Sequence, residues 1–121
     1  MQIKIDTKEK FHVITLQIDP VAATLTAETV LSLQEQLHYS VKNVILNMEA
    51  VQDIELNVAE QLVAVQQAFY EQNASFVVCA LSKKVEEKLD EAGLLELMNV
   101  TPTESEAYDI VQMEEIEREF E

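Results

Sequence analysis

Apolar and polar positions alternate at the start of the chain. Isoleucines alternate with polar residues over Gln2–Thr7, which predicts a strand. Residues 11–18 follow a short polar turn and predict a second strand, whose near-continuous apolar middle indicates burial on both faces. Asp19 and Pro20 end this strand, because proline has no N–H to donate to a neighbouring strand. The chain therefore begins with a predicted β-hairpin.

The apolar spacing then changes to the period of an amphipathic helix, about 3.6 residues. Two stretches have this spacing, residues 26–39 and residues 56–72. Asn57 and Glu60 stand three residues apart and predict a capping box at the start of the second helix. Residues 43–48, which lie between the two helices, form a short apolar run typical of a central parallel strand.

The second half of the chain repeats this order of strand and helix. Residues 75–81 predict a buried strand, and residues 82–92 predict a charged helix. Gly93 is expected to end that helix, since glycine is the residue best suited to a left-handed helix terminus. Residues 95–100 predict a last short strand or extended segment.

A final helix is predicted after Thr103, which can form a second capping box with Glu106. The residues expected to face inward on this helix are Ala107, Ile110, Val111 and Met113. The acidic stretch 114–121 keeps Ile116 and Phe120 four residues apart. We therefore expect this stretch to extend the helix and to pack weakly against the rest of the chain.

Strands that alternate with helices are typical of α/β domains, in which right-handed crossovers join parallel strands. The predicted fold is a mixed, mostly parallel sheet of four or five strands with about four helices largely on one face. The length of 121 residues fits a single domain, which we expect to span residues 1–121.

The net charge of −15 is the most informative feature of the composition. Residues 1–50 carry four Lys/Arg against six Asp/Glu, whereas residues 51–121 carry four against seventeen. A surface this negative repels phosphate backbones and anionic lipids, so we expect no direct nucleic-acid binding. The acidic second half is either a solvated face or a docking surface for a basic partner.

The chain shows no apolar run near the roughly 20 residues that a membrane helix needs, and no apolar core of a signal peptide. We expect a cytoplasmic protein without membrane insertion. Its one cysteine, Cys79, lies in a predicted strand and is expected to be a buried packing residue.

Residue patterns that would support catalysis are missing from the sequence. His12 and His38 have no companion ligand at helical spacing, and a single glycine cannot build a phosphate-binding loop. Asp53 and Glu55 could form an acid–base or metal pair, but in a strand-to-helix turn such residues are usually solvated. We therefore expect neither an enzyme nor a bound metal or cofactor.

One region, residues 44–58, carries a recognisable order of features. Val44-Ile45-Leu46-Asn47 is an apolar strand that ends in an amide, Val51 follows in a loop, and Ile54-Glu55-Leu56-Asn57-Val58 opens a helix. This order resembles STAS domains, the family of sulfate-transporter and anti-sigma-factor-antagonist domains. Residues 26–28, 77–82, 93–94 and 103–107 fit the same family pattern without large gaps. The resemblance thus covers nearly the whole chain.

The resemblance implies a protein-binding role. Anti-sigma-factor antagonists of this family bind a serine kinase that is also an anti-sigma factor. Phosphorylation of the first serine of the turn adds about two negative charges to the binding face and releases the partner. Other members of the family are parts of stressosomes, of anion transporters or of lipid-transport ATPases.

The departures from the family pattern remove this switch. Leu56 stands at the serine position and has no hydroxyl group, Asn57 follows it, and Val58 replaces the usual glycine. Glu55 keeps the acidic position before the serine. Residues 20–23 (Pro-Val-Ala-Ala) lack the glycine and the aspartate of the family's upstream Gly-x-Leu-Asp turn.

Glu55, Leu56, Asn57 and Val58 are therefore the candidate partner-binding residues, and Leu56 marks a phosphoacceptor-equivalent position that cannot be phosphorylated. Our leading hypothesis is that Leu56 and Val58 form an apolar face that binds an anti-sigma or kinase-like partner without a phospho-switch. The alternative interpretation places Leu56 in the core.

Two further hypotheses stay open, a regulatory subunit of a lipid-transport ATPase and a small-ligand or nucleotide sensor. No basic residue is close in sequence to the 20–26 and 53–58 loops, which argues against an anionic ligand. The sequence leaves the oligomeric state open.

Overall fold

The computed structural model describes residues 2–7, 11–17, 24–25 and 43–120. The strands are β1 (Gln2–Thr7), β2 (Phe11–Gln17), β3 (Thr24–Leu25), β4 (Asn43–Asn47), β5 (Asp53–Ile54), β6 (Phe76–Cys79) and β7 (Val100–Thr101). The helices are α1 (Leu56–Glu71), α2 (Lys83–Glu91) and α3 (Glu104–Glu119), with a 3₁₀ turn at Leu95–Leu97. The helix predicted over residues 26–39 lies outside the described residues.

The main sheet has five strands in the order β1-β2-β4-β6-β7. β1 and β2 form the predicted antiparallel hairpin, in which Gln2 pairs with Gln17 and Thr7 with His12. All other neighbours in this sheet are parallel. The prediction of a mixed, mostly parallel sheet is thereby confirmed.

The neighbouring strands β4 and β6 are buried on both faces, as their continuous apolar sequences predict. Val44 and Leu46 of β4 belong to a core with α1 and α2, whereas Ile45 belongs to a second core with α3. β6 divides its residues in the same alternating way, because successive side chains of a strand point to opposite faces. Two of the three described helices therefore cover one face of the sheet, and α3 covers the other.

α1 supplies more residues to the larger core than any other helix or strand does. Its fully buried Phe69 packs against Phe76 of β6, with the ring centroids 5.2 Å apart. The predicted capping box at Asn57 is wrong, because the N-cap of α1 is Glu55, in extended conformation at φ −75° and ψ 144°. Asn57 already lies inside the first turn of the helix, beyond the position from which a side chain caps it.

α2 has the ends that its sequence predicts. The Ser82 hydroxyl accepts a hydrogen bond from the backbone N–H of Val85 at 3.3 Å and caps the helix start. Gly93 follows the C-cap with a φ of +72°, which glycine adopts without the steric cost that other residues meet.

The segment between α2 and α3 differs from the sequence prediction. The predicted strand over residues 95–100 is instead the 3₁₀ turn followed by β7, which contains only Val100 and Thr101. Gln66 of α1 explains the difference, since its side-chain amide donates to the Leu97 carbonyl at 3.2 Å and accepts from the Asn99 N–H at 2.9 Å. These bonds tie the backbone around Met98 to α1, and bonding to the sheet begins only at Asn99, whose carbonyl accepts from the Val78 N–H at 2.9 Å.

α3 begins after Thr103, whose hydroxyl accepts a hydrogen bond from the Glu106 N–H at 3.2 Å. The predicted inward residues Ala107 and Val111 are buried and Ile110 is half-buried. The prediction for Met113 is wrong, because this side chain is 55% exposed. Met113 is two residues from Val111, which corresponds to roughly half a turn of helix and places it on the far side.

Candidate functional site

The candidate site lies where the chain leaves the carboxyl end of β4. Asn47 closes the turn there, because its side-chain oxygen accepts a hydrogen bond from the Glu49 N–H at 2.9 Å. The Asn47 side-chain amide also donates to the Glu104 carboxylate at the start of α3, at 3.3 Å. Met48 and Val51 have no exposed surface. The turn is thus fixed both by the hydrogen bonds of Asn47 and by buried apolar side chains.

The chain then forms β5, which pairs in parallel with β3. Thr24 lies opposite Asp53, and Leu25 lies opposite Ile54. The pairing joins the two segments that flank the candidate site, although about 30 residues separate them in sequence. Ile54 is fully buried and anchors the short strand in the core beneath α1.

The first four residues after β5 have different environments. Glu55 and Asn57 are exposed, and Leu56 is 48% exposed. Val58 has no exposed surface and packs in the core with Ile54 and Leu62. Of the two residues expected to form an apolar face, only Leu56 is at the surface. Val58 is a core residue because it lies on the side of α1 that faces the sheet.

Asp53 connects the candidate site to α2. Its carboxylate lies 3.3 Å from the Lys88 ammonium and 3.7 Å from that of Lys84, and it accepts the N–H of Ile54 at 2.9 Å. The backbone N–H of Ile54, and then the two lysines, lower the pKa of Asp53 below its ordinary value. Asp53 is therefore ionised at neutral pH and pairs with α2 beside the turn.

Lys84 and Lys88 correct the expectation that the 53–58 loop has no basic residue near it. The 53–58 loop has basic neighbours, but they come from α2, about 30 residues further along the chain. Sequence reasoning missed them because only the packing of α2 beside β5 brings them together. Asp53 already pairs with both ammonium groups, so they do not form a free anion-binding pair.

The other described residues of the site offer little chemical reactivity. Cys79 at the end of β6 is fully buried, and burial raises the pKa of its thiol to about 12, with the charges of Glu104 and Glu49 adding to the effect. The thiol is therefore protonated and unreactive at neutral pH. Among residues 2–7, 11–17, 24–25 and 43–120, no three His, Cys, Asp or Glu side chains are grouped so that they could hold a metal ion.

Comparison with solved structures shows which fold this domain has. An anti-sigma-factor antagonist (STAS) domain protein from Planctomyces limnophilus is 20% identical, with a TM-score of 0.75 over 91% of this chain and 97% of that one. An anti-sigma factor antagonist from Mycobacterium paratuberculosis is 16% identical, with a TM-score of 0.67 over 92% and 93%. The Bacillus cell fate determinant SpoIIAA in its phosphorylated form is 16% identical, with a TM-score of 0.61 over 91% and 99%.

A family model agrees with the structures. The model of the STAS domain matches residues 3–107, and the chain therefore belongs to the STAS domain family. The comparison with curated proteins returned no match. Across the part of the chain that the structure describes, every helix is too short or too polar to cross a membrane.

Proposed function

We propose that the chain is a non-enzymatic protein-interaction module of the anti-sigma-factor-antagonist type, which binds a regulatory protein without a serine phospho-switch. The half-exposed Leu56 at the first position of α1 carries this proposal. A leucine in that place presents apolar surface that a partner can bury, and it offers no oxygen for phosphate.

The surroundings of Leu56 also contain no substitute phosphoacceptor. Residues 41–69 hold no serine, threonine or tyrosine, so the turn and nearly all of α1 lack a hydroxyl group. SpoIIAA, by contrast, has been solved in unphosphorylated and phosphorylated forms. If Leu56 corresponds to the modified serine of such proteins, this chain can bind its partner but cannot be released from it by phosphorylation at that place.

The proposed contact surface consists of the exposed Glu55, Leu56 and Asn57. The buried Val58 supports this surface from below rather than touching a partner. Asp53, held by Lys84 and Lys88, fixes the approach to the surface and keeps α2 at its side. A fixed backbone lowers the entropy cost of binding, because less of the site has to be ordered when the partner arrives.

The test starts with affinity capture of the partner from the native host, followed by calorimetry with the purified partner. Leu56→Asp should weaken binding at least about tenfold, since a carboxylate would have to be desolvated at the centre of the contact. Leu97→Asp is the matched control, because Leu97 is 52% exposed and lies against Gln66, about 15 Å along α1 from Leu56. It should bind like the wild type.

The phospho-switch is tested in the same system by adding ATP and, where the partner is a kinase, measuring phosphate incorporation by mass spectrometry. We expect no ATP-dependent release of the partner and no stoichiometric phosphate anywhere on the chain. ATP-dependent release with phosphate on a residue outside the turn, or unchanged binding of Leu56→Asp, would contradict the proposal. A transport ATPase as the captured partner would favour the alternative role of a regulatory subunit at the same surface.

A further inference from the structure

The second half of α3 carries apolar residues on the side that faces away from the sheet. Met113, Ile116 and Phe120 are 55%, 54% and 85% exposed. Their spacing of three and then four residues places them on one face over two turns of helix. We call these three residues the outer stripe of α3.

The outer stripe is separate from the side of α3 that packs in the core. Ala107 and Val111 already bury the inner face of the helix in the second core. At the far end, Arg118 anchors the inner face by donating to Asn43, Ser75 and Glu115 at 3.3, 3.2 and 2.8 Å. α3 is therefore fixed on one side and presents a separate apolar face on the other.

Acidic side chains flank the outer stripe. Asp109 and Glu117 are each four residues from Met113, Glu119 is three residues beyond Ile116, and all three are exposed. Over its whole length α3 has seven acidic residues and one basic residue, Arg118. An apolar face with such a rim is complementary to apolar side chains flanked by lysine or arginine.

The charge distribution also disfavours two other occupants of the stripe. A second copy would bring the same acidic rim and a net charge of −15, and its Arg118 would be held by its own Asn43, Ser75 and Glu115. An anionic membrane would repel the rim in the same way. The negative charge of a second copy and that of an anionic membrane therefore both disfavour contact with the outer stripe.

We infer that the outer stripe of α3 is a second protein-docking surface, and that its occupant is a cationic amphipathic helix of a partner protein. Anchors at i, i+3 and i+7 are the pattern by which one helix docks on an apolar surface. The surface is distinct from the one around Leu56. Arg118 lies at the amino ends of β4 and β6, where it contacts Asn43 and Ser75, whereas Leu56 follows the turn at the carboxyl end of β4. A partner at one surface leaves the other free.

The test uses two fluorescein-labelled synthetic peptides of identical leucine and lysine content. One places the leucines on a single helical face, and the other has a scrambled order without a face. Fluorescence anisotropy should show that the amphipathic peptide binds the full chain at least about tenfold more tightly than the scrambled peptide. The scrambled peptide measures the attraction that charge alone produces on an acidic protein.

The matched variants then locate the site. The triple variant Met113→Gln, Ile116→Gln and Phe120→Gln should reduce binding of the amphipathic peptide to that of the scrambled one, while its melting temperature stays within a few degrees of the wild type. Glutamine keeps a good helix propensity, so loss of the helix does not account for the effect. The control Leu97→Gln removes an equally exposed leucine elsewhere and should bind like the wild type.

Four results would overturn the inference. The first is equal binding of both peptides by the wild type, and the second is undiminished binding by the triple variant. The third is a dimer in sedimentation velocity that the triple variant dissociates, since the occupant would then be a second copy. The fourth is binding of the wild type, but not of the triple variant, to phosphatidylcholine vesicles, since the occupant would then be a lipid surface.

Discussion

Leu56 and Val58 are two residues apart at the start of α1, yet the same substitution should destabilise the protein slightly at Leu56 and severely at Val58. At Leu56, aspartate removes a side chain that is about half buried, since its exposed fraction is 48%. Burying a whole leucine is worth about 1.5–3 kcal/mol, so the loss is about 1 kcal/mol. A carboxylate in the first turn of a helix returns about 0.3–1 kcal/mol through the helix dipole.

The expected net loss for Leu56→Asp is therefore below about 1 kcal/mol, or a few degrees in melting temperature for a chain of this size. Val58 has an exposed fraction of 0%, so Val58→Asp places an unpaired carboxylate in the core. This substitution should cost more than about 4 kcal/mol, because the apolar burial is lost and the buried charge has no partner. Such a loss is a large part of the stability of a small domain, which is about 5–15 kcal/mol.

The assay is urea unfolding at neutral pH, followed by circular dichroism and analysed for the free energy of unfolding. Val58→Thr serves where Val58→Asp fails to fold, since it replaces only one methyl group with a hydroxyl group and should cost about 1–3 kcal/mol. Leu56→Thr is its counterpart and should cost less than about 1 kcal/mol. The reasoning is refuted if Leu56→Asp loses more than about 2 kcal/mol, because Leu56 would then be a core residue and could not form a binding surface.

Two further predictions concern backbone strain and the buried thiol. Gly93 and Ala80 have similar positive φ angles of 72° and 61°. Gly93→Ala should therefore destabilise the protein by about 1 kcal/mol through strain alone, since a Cβ there would meet no atom within 4 Å, whereas Ala80→Gly should lose little or gain stability in the same urea titration. Cys79 should not react with a thiol reagent at pH 8 until the protein is unfolded. Because its pKa rises from 9.0 to about 12 on folding, the stability should fall as the pH rises above about 9, and Cys79→Ala should remove that part of the pH dependence.

The order of strands and helices could be predicted well from the sequence, because apolar spacing and capping residues act locally. The alternation in β1, the apolar runs of β4 and β6, the Thr103 cap and Gly93 all retain their predicted roles. Local signals failed where a contact distant in sequence competes with them. Gln66 ties the backbone of Leu97 and Asn99 to α1, in a segment for which the apolar pattern predicted a strand.

Some features of the candidate site can likewise be predicted from the sequence, whereas others depend on the packing. The sequence alone predicts that residues 54–58 open a helix, that none of them carries a hydroxyl group, and that the chain resembles a STAS domain. The tertiary structure places Val58 in the core and leaves Leu56 exposed, since this depends on which side of α1 faces the sheet. It also decided that Lys84 and Lys88 pair with Asp53, and that the apolar residues at the end of α3 face away from the core. Burial and ion pairing are properties of how elements pack, and the spacing along one element specifies its faces but not what each face meets.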